Sequence, residues 1–376
     1  MKYRKDIDGL RCIAVIPVIL FHGGFELLSG GYIGVDVFFV ISGFLIASII
    51  IKEQEAGKFS ISGFYERRAR RILPALFFVL LATLPFTWFW LLPYELKEFG
   101  KSLLAVSSFS SNILFWQTSD YFAATAQQIP LLHTWTLAVE EQFYIIFPIF
   151  MMLFWAFGKR FLIIIIGSIA LVSLFLAEWG WREFPEANFF LLPTRMWELM
   201  IGVLVAFYLF NKQQAKSYMV NQSLSLAGLV LIIIPLFFFD KGTPTPSLYT
   251  LAPTLGTALI IIFSTSDTLV YRILTVRLLV GIGLISYSAY LWHQPLFVFA
   301  HIITQEEPSF WLMALLSVIT LLLAYLSWRF VEAPFRDKNR FSRKQIFTGG
   351  IISSLIFIAI GSIFILTEGA INRNLY

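Results

Sequence analysis

A single cysteine, Cys12, excludes an intramolecular disulfide and any thiolate metal cluster; beside Arg11 it reads as a small apolar filler. Charge is also scarce, at 14% of 376 residues, against about 25% in ordinary globular domains. The first apolar segment lacks a small-residue cleavage site after it and is expected to stay as a helix. No internal repeat is visible, which weakens a transporter reading, because many transporters are built from repeats. No stretch between hydrophobic runs is long enough for a separate soluble domain. Apolar residues, by contrast, are abundant. The chain is 58% hydrophobic, with 40 Phe, 11 Trp and a mean hydropathy of +0.77. This composition predicts an all-α, polytopic membrane protein, with membrane lipid as its first partner. The net charge of +5 carries no message about nucleic acid, and none is expected as a partner.

Runs of about 20 apolar residues fall near 10–28, 32–52, 72–92, 139–157, 161–178, 195–210, 223–239, 248–265, 277–299, 309–331 and 346–366. Segment 99–117 is a poor spanner because Ser107, Ser108, Ser110, Ser111 and Asn112 interrupt it. With this segment left uncrossed and the N-terminus cytoplasmic, twenty of the 28 lysines and arginines fall on the cytoplasmic side and five on the other. If it crossed, every later loop would change sides and the bias would largely vanish. Eleven helices are therefore expected, with 93–132 as an outer-face excursion, a cytoplasmic N-terminus and an outer C-terminus.

Arg11 and His22 lie eleven residues apart on the first segment, about 16 Å along a helix axis. Ionisable groups at membrane depth are costly and mark pathways or reaction sites; for His22 the plainer alternative is a histidine satisfied within the core. Asp36 opens the second segment on the side where His22 leaves the membrane. A carboxylate there can fix the imidazole tautomer and stabilise imidazolium, or it can simply favour a helix N-terminus. Four arginines, Arg67, Arg68, Arg70 and Arg71, stand at the cytoplasmic mouth of the third segment. Such a cluster can hold nucleotide phosphates through paired N–H donors, or orient the helix against anionic lipid.

His133 and Thr136 precede the paired carboxylates Glu140 and Glu141 at the head of an apolar run. A helix would place His133, Thr136 and Glu140 on one face, where Glu140 can orient a histidine, hold a proton or pair with Arg195. The spacing matches no metal signature, and no metal is assigned. Tyr290 and His293 lie towards the outer end of their helix, with Tyr290 also suited to an interfacial belt. Arg329 lies at a cytoplasmic helix end, where it can pair with Glu332 or add a phosphate contact. The Gly281-Ile282-Gly283 pair lacks the strand of a dinucleotide fold and reads as packing.

Together these pieces resemble the acyltransferase-3 integral membrane acyltransferases. The resemblance rests on Asp8-Gly9-Leu10-Arg11 with His22 beyond, Gly34 to Phe44, Arg67 to Arg71, His133 to Tyr144, and Tyr290-Leu291-Trp292-His293-Gln294-Pro295, in family order. It implies a ten-helix core over 1–335 that moves an acyl group, usually acetyl, from cytoplasmic acyl-CoA to a hydroxyl of a cell-surface carbohydrate such as lipopolysaccharide O-antigen, in a bacterial inner membrane. Within it, Arg11 and His22 match the family's essential Arg-x10-His, and Arg67–Arg71 its Arg-x-x-Arg element. Taken with the chemistry of the residues themselves, His22, Asp36 and Glu140 are expected to be catalytic, Arg11, Arg67, Arg68, Arg70, Arg71 and Arg329 to contact acetyl-CoA, and Ser42, His133, Glu141, Tyr290 and His293 to support them. Residues 336–376 resemble the basic linker, eleventh helix and short outer tail that lead, in fused members, to an SGNH-hydrolase-like domain, so the chain is expected to be either a stand-alone variant or, the favoured alternative, the membrane part of a longer protein. The rival expectation is a transporter or flippase of a lipid-linked sugar.

Overall fold

The computed structural model describes residues 3–118, 121–122, 128–211, 217–305 and 307–371. Parts of the 93–132 excursion and the end of the 336–376 segment lie outside the described residues. Among those described there are helices and no strands. The first half runs through α1 (Lys5–His22), α2 (Gly34–Glu55), α3 (Ile61–Trp90), α4 (Pro93–Ser107), α5 (Ser111–Thr118), α6 (Thr134–Phe154), α7 (Lys159–Glu183) and α8 (Pro185–Phe190). There follow α9 (Leu192–Asn211), α10 (Tyr218–Phe238), α11 (Leu251–Phe263), α12 (Leu269–Leu274), α13 (Arg277–Leu284) and α14 (Ser286–Thr304). The chain ends with α15 (Phe310–Ser327), a π-helical turn (Trp328–Glu332), α16 (Ala333–Arg336) and α17 (Arg343–Leu366).

Eight of these helical stretches are long and apolar enough to cross a membrane, against the eleven expected. The shortfall has local causes. α1 carries Lys5, Asp6, Asp8 and Arg11 in its first two turns. The 248–265 run yields only a short helical stretch, Leu248–Phe263. The 277–299 run breaks at Ile285, leaving an eight-residue α13 and an α14 rich in polar groups. The ambiguous 99–117 stretch is two helices, because the chain turns at Ser108–Ser110 between α4 and α5.

The chain forms two compact units, one of residues 1–59 and 139–286, the other of 60–138 and 287–376. In the first unit, α2 packs on α9, α9 on α7, α10 on α11, and α1 on α13. The α2–α9 contact is built on glycine. A Cβ on Gly43 would stand 1.9 Å from the Leu199 carbonyl oxygen, and one on Gly202 would stand 2.1 Å from that of Val40. The two backbones therefore touch. Asp36 and Arg195 each precede the glycine of their own helix by seven residues, two turns that return to the same face. A Gly43→Val chain is expected to lose about 3 kcal/mol, the upper end of overpacking costs, read as a lower melting temperature of the purified protein. An unchanged melt would show that the crossing is looser than described.

In the second unit, α17 runs alongside α3 in the same direction. Arg343 Nε donates to Glu66 Oε2 at 2.7 Å, the rings of Phe77 and Phe357 stack at 5.6 Å, and those of Trp88 and Phe364 meet at 6.1 Å. α4 returns antiparallel along the far half of α17, with Lys97 paired to Glu368 at 2.5 Å and Gly100 packed against the Gly361 carbonyl. Hydroxyl caps start several helices: Ser60 accepts from Gly63 N on α3, and Ser342 with Gln345 forms a capping box on α17.

Candidate functional site

The sequence makes α1 end at His22, because Gly23 follows and Gly24 adopts φ +76°, a conformation that L side chains avoid. His22 thus sits half-buried in the last turn, with Nδ1 2.8 Å from the Val18 carbonyl oxygen one turn back. A carbonyl can only accept, so Nδ1 carries the proton. In the neutral ring the lone pair then lies on Nε2, the form a base or nucleophile needs. Phe21 packs edge-on against the ring at 5.2 Å. At the other end of the helix Arg11 pairs with Asp8 at 3.6 Å, and Asp8 also accepts from the Tyr3 hydroxyl at 2.6 Å.

The other expected orienting groups are engaged elsewhere in the same unit. Asp36 is 1% exposed, and its Oδ1 accepts from Arg195 Nη1 at 2.7 Å. The same Nη1 reaches Glu198 Oε1 at 3.0 Å, and Arg195 Nε donates to the Phe189 carbonyl at 3.1 Å. The short helix α8 and the turn at Leu191 present that carbonyl to Arg195. Glu140, in turn, accepts from Ser42 Oγ at 2.6 Å and from the Tyr144 hydroxyl at 3.0 Å. The structure therefore joins Asp36 to Arg195, Glu140 to Ser42, and the His22 ring to its own helix. Glu198, 0% exposed, was not anticipated. Its signal was an Arg-x-x-Glu pair inside an apolar helix, where i, i+3 charges meet.

In the second unit the arginine cluster divides. Arg70 is 3% exposed. Its Nε donates to Glu66 Oε1 at 3.0 Å, Nη1 to the Phe335 carbonyl at 3.1 Å and Nη2 to the Phe341 carbonyl at 2.6 Å. It fastens α3 to the turn after α16. Arg67, Arg68 and Arg71 are half-buried and Arg329 is exposed, on the π-helical turn that packs against α3. Such turns are frequent at functional sites. Glu332 on that turn is buried and holds Arg336 and the Ser288 hydroxyl, so the Arg329–Glu332 pairing considered from the spacing gives way to Arg336.

His133, Tyr290 and His293 also come together in the second unit. The imidazoles lie 5.4 Å apart and the Tyr290 hydroxyl donates to the His133 carbonyl at 3.1 Å. Thr136 donates in turn to that hydroxyl at 2.9 Å. His133 lies in the turn before α6, which begins at Thr134, so it does not share a helical face with Thr136 and Glu140. Glu141 is half-buried on α6.

A profile of the family described as an acyltransferase domain matches residues 4–329, which takes in every residue just placed from Arg11 to Arg329. This chain belongs to that family. It is 32% identical over 394 residues to the peptidoglycan O-acetyltransferase OatA of Listeria monocytogenes, an alignment covering 97% of this chain and 63% of that protein. It is 32% identical over 365 residues to the O-acetyltransferase OatA of Staphylococcus aureus, covering 90% of this chain and 58% of that protein. The chain thus spans about three-fifths of the length of the curated relatives it matches. No solved structure matches. The chain is therefore an acyltransferase by family, and its relatives are named for transfer of acetyl to oxygen.

Proposed function

We propose that the chain takes an acetyl group from cytoplasmic acetyl-CoA and passes it to a hydroxyl of a cell-envelope glycan on the outer side of a bacterial inner membrane. The observation that carries this reading is the His22 ring, fixed at the end of α1 with its lone pair on Nε2. In the base route, Nε2 takes the acceptor's hydroxyl proton as the oxygen attacks the thioester carbonyl. The carbon–sulfur bond breaks, and the imidazolium returns its proton to the departing thiolate, restoring neutral His22 and leaving an O-acetyl ester and free CoA. In the alternative route Nε2 itself attacks the carbonyl, the carbon–sulfur bond breaks and CoA leaves as thiolate; the hydroxyl oxygen then displaces the acetyl group from Nε2, and its proton goes to the thiolate, giving the same ester and free CoA. The relative named for peptidoglycan favours that class of glycan over the O-antigen expected from the sequence. The extra length of the relatives accords with a further, SGNH-like domain that receives the product.

Arg67, Arg68 and Arg71 are assigned to the donor's phosphates, with Arg329, because the first three residues are only half-buried and Arg329 is exposed, whereas Arg70 is buried. Arg70 is assigned to structure. Changing Arg67, Arg68 and Arg71 together to Gln is expected to raise the KM for acetyl-CoA at least tenfold, whereas Arg70→Gln is expected to lower the melting temperature first. The measurement is in-membrane acetyl-CoA turnover beside a thermal melt. A triple variant with wild-type KM would sink the phosphate role. A transporter of a lipid-linked sugar needs no CoA, so failure of acetyl-CoA to stabilise the wild-type chain would favour that rival.

A further inference from the structure

On the second unit, α3 separates two ends. From Arg71 to Trp90 is about 28 Å along the axis, close to the thickness of the hydrocarbon core. α4 starts beyond Trp90, at the end remote from the arginines. There, α4, α5 and the turn at 128–130 enclose a cleft of about 350 Å³, within the size range of small-ligand sites. Its walls are mixed. Phe99, Leu114 and Phe115 contribute apolar surface, while Tyr94, Glu95, Glu98, Ser102, Thr118 and Gln128 contribute polar groups. A second cleft of about 280 Å³, between α3, α14 and α15, is lined by Phe86, Trp90, Phe299 and similar side chains, and so suits a lipid tail. The mixed cleft does not.

Its charge narrows the ligand. Glu95 accepts from Leu92 N at 2.8 Å and from the Tyr94 hydroxyl at 3.2 Å, and Glu98 pairs with Lys101 at 2.6 Å. Two carboxylates against one lysine disfavour a phosphate or any other anion. The Glu95 charge pushes the Tyr94 phenol up, so it stays a donor. Tyr94 is 63% exposed, leaving ring face for the C–H side of a ligand. The carboxylates keep lone pairs for hydroxyl donors, and such charge-assisted bonds are the stronger kind.

We propose that this cleft binds an uncharged, hydroxyl-rich ligand: a stretch of the acceptor glycan held on the outer face. The assignment rests on the acetyl-transfer reading for what the ligand is for, but not for its chemistry. The probe is a tetramer of N-acetylglucosamine, titrated against the full chain in lipid nanodiscs. Wild type is expected to bind it. Glu98→Ala and Tyr94→Ala, both at exposed positions, are each expected to weaken binding about tenfold, and Thr118→Trp, which obstructs the cleft, to abolish it. Stabilisation of each variant by acetyl-CoA should match wild type. No binding by wild type, or unaltered affinity in Thr118→Trp and Glu98→Ala, overturns the cleft assignment. A chain that binds the tetramer through these residues but gains no stability from acetyl-CoA overturns the donor reading and leaves the cleft in place.

Discussion

Replacing His22 by alanine is expected to abolish acetyl transfer, by about 10²–10⁴-fold, the usual worth of a positioned base, while the protein still inserts and melts close to wild type. The separation follows from position. His22 is half-buried in the last turn of α1, and the hydrogen bond described for its ring runs back to the Val18 carbonyl, so truncation falls at a helix end rather than in a packed helix interior. Quench-flow with labelled acetyl-CoA and no acceptor resolves the route: acetyl-enzyme that disappears in His22→Ala marks the nucleophile, and its absence from wild type marks the base. Undiminished turnover in the alanine variant would remove His22 from the chemistry altogether.

The helices were legible because an apolar run of spanning length can do little else in lipid. Breaks within runs were harder to see. Nothing in the side chain of Ile285 marks the end of α13; two residues earlier, Gly283 lies so close to α1 that a Cβ would collide with the Asp8 carbonyl oxygen, a contact no local pattern reports. The arginine cluster was visible but not its division. Glu66 lies four residues before Arg70, so i, i+4 pairing could have set Arg70 apart, whereas the Phe335 and Phe341 carbonyls that complete its shell lie more than 260 residues away. Asp36 poses the same problem more sharply. Proximity in sequence pointed to His22, yet the charge that holds it is Arg195, 159 residues on. Local spacing reports on one helix at a time; partners across helices depend on close crossings such as Gly43 on Leu199.

That ion cluster gives the second large effect. Arg195→Met is expected to cost about 3–5 kcal/mol, the price of removing one partner from a buried pair. Asp36 and Glu198, 1% and 0% exposed, would then face the interior without the guanidinium that both accept from. Arg195→Lys should fall between, since an ammonium keeps the charge but not the fork that spans Asp36, Glu198 and the Phe189 carbonyl. The informative chain is the triple Asp36→Asn, Glu198→Gln, Arg195→Met, in which no charge remains to strand. Replacing a whole buried cluster with well-packed apolar groups is often near neutral, and the amides here keep only the smaller cost of buried neutral polar groups, so part of the lost melting temperature should return. Turnover then separates two roles for the cluster. If acetyl transfer returns with stability, the three charges only fasten α2 to α9; if stability returns alone, the chemistry needs the charges themselves. A triple variant no more stable than Arg195→Met would mean that packing around the long arginine side chain, rather than its charge, holds this crossing together.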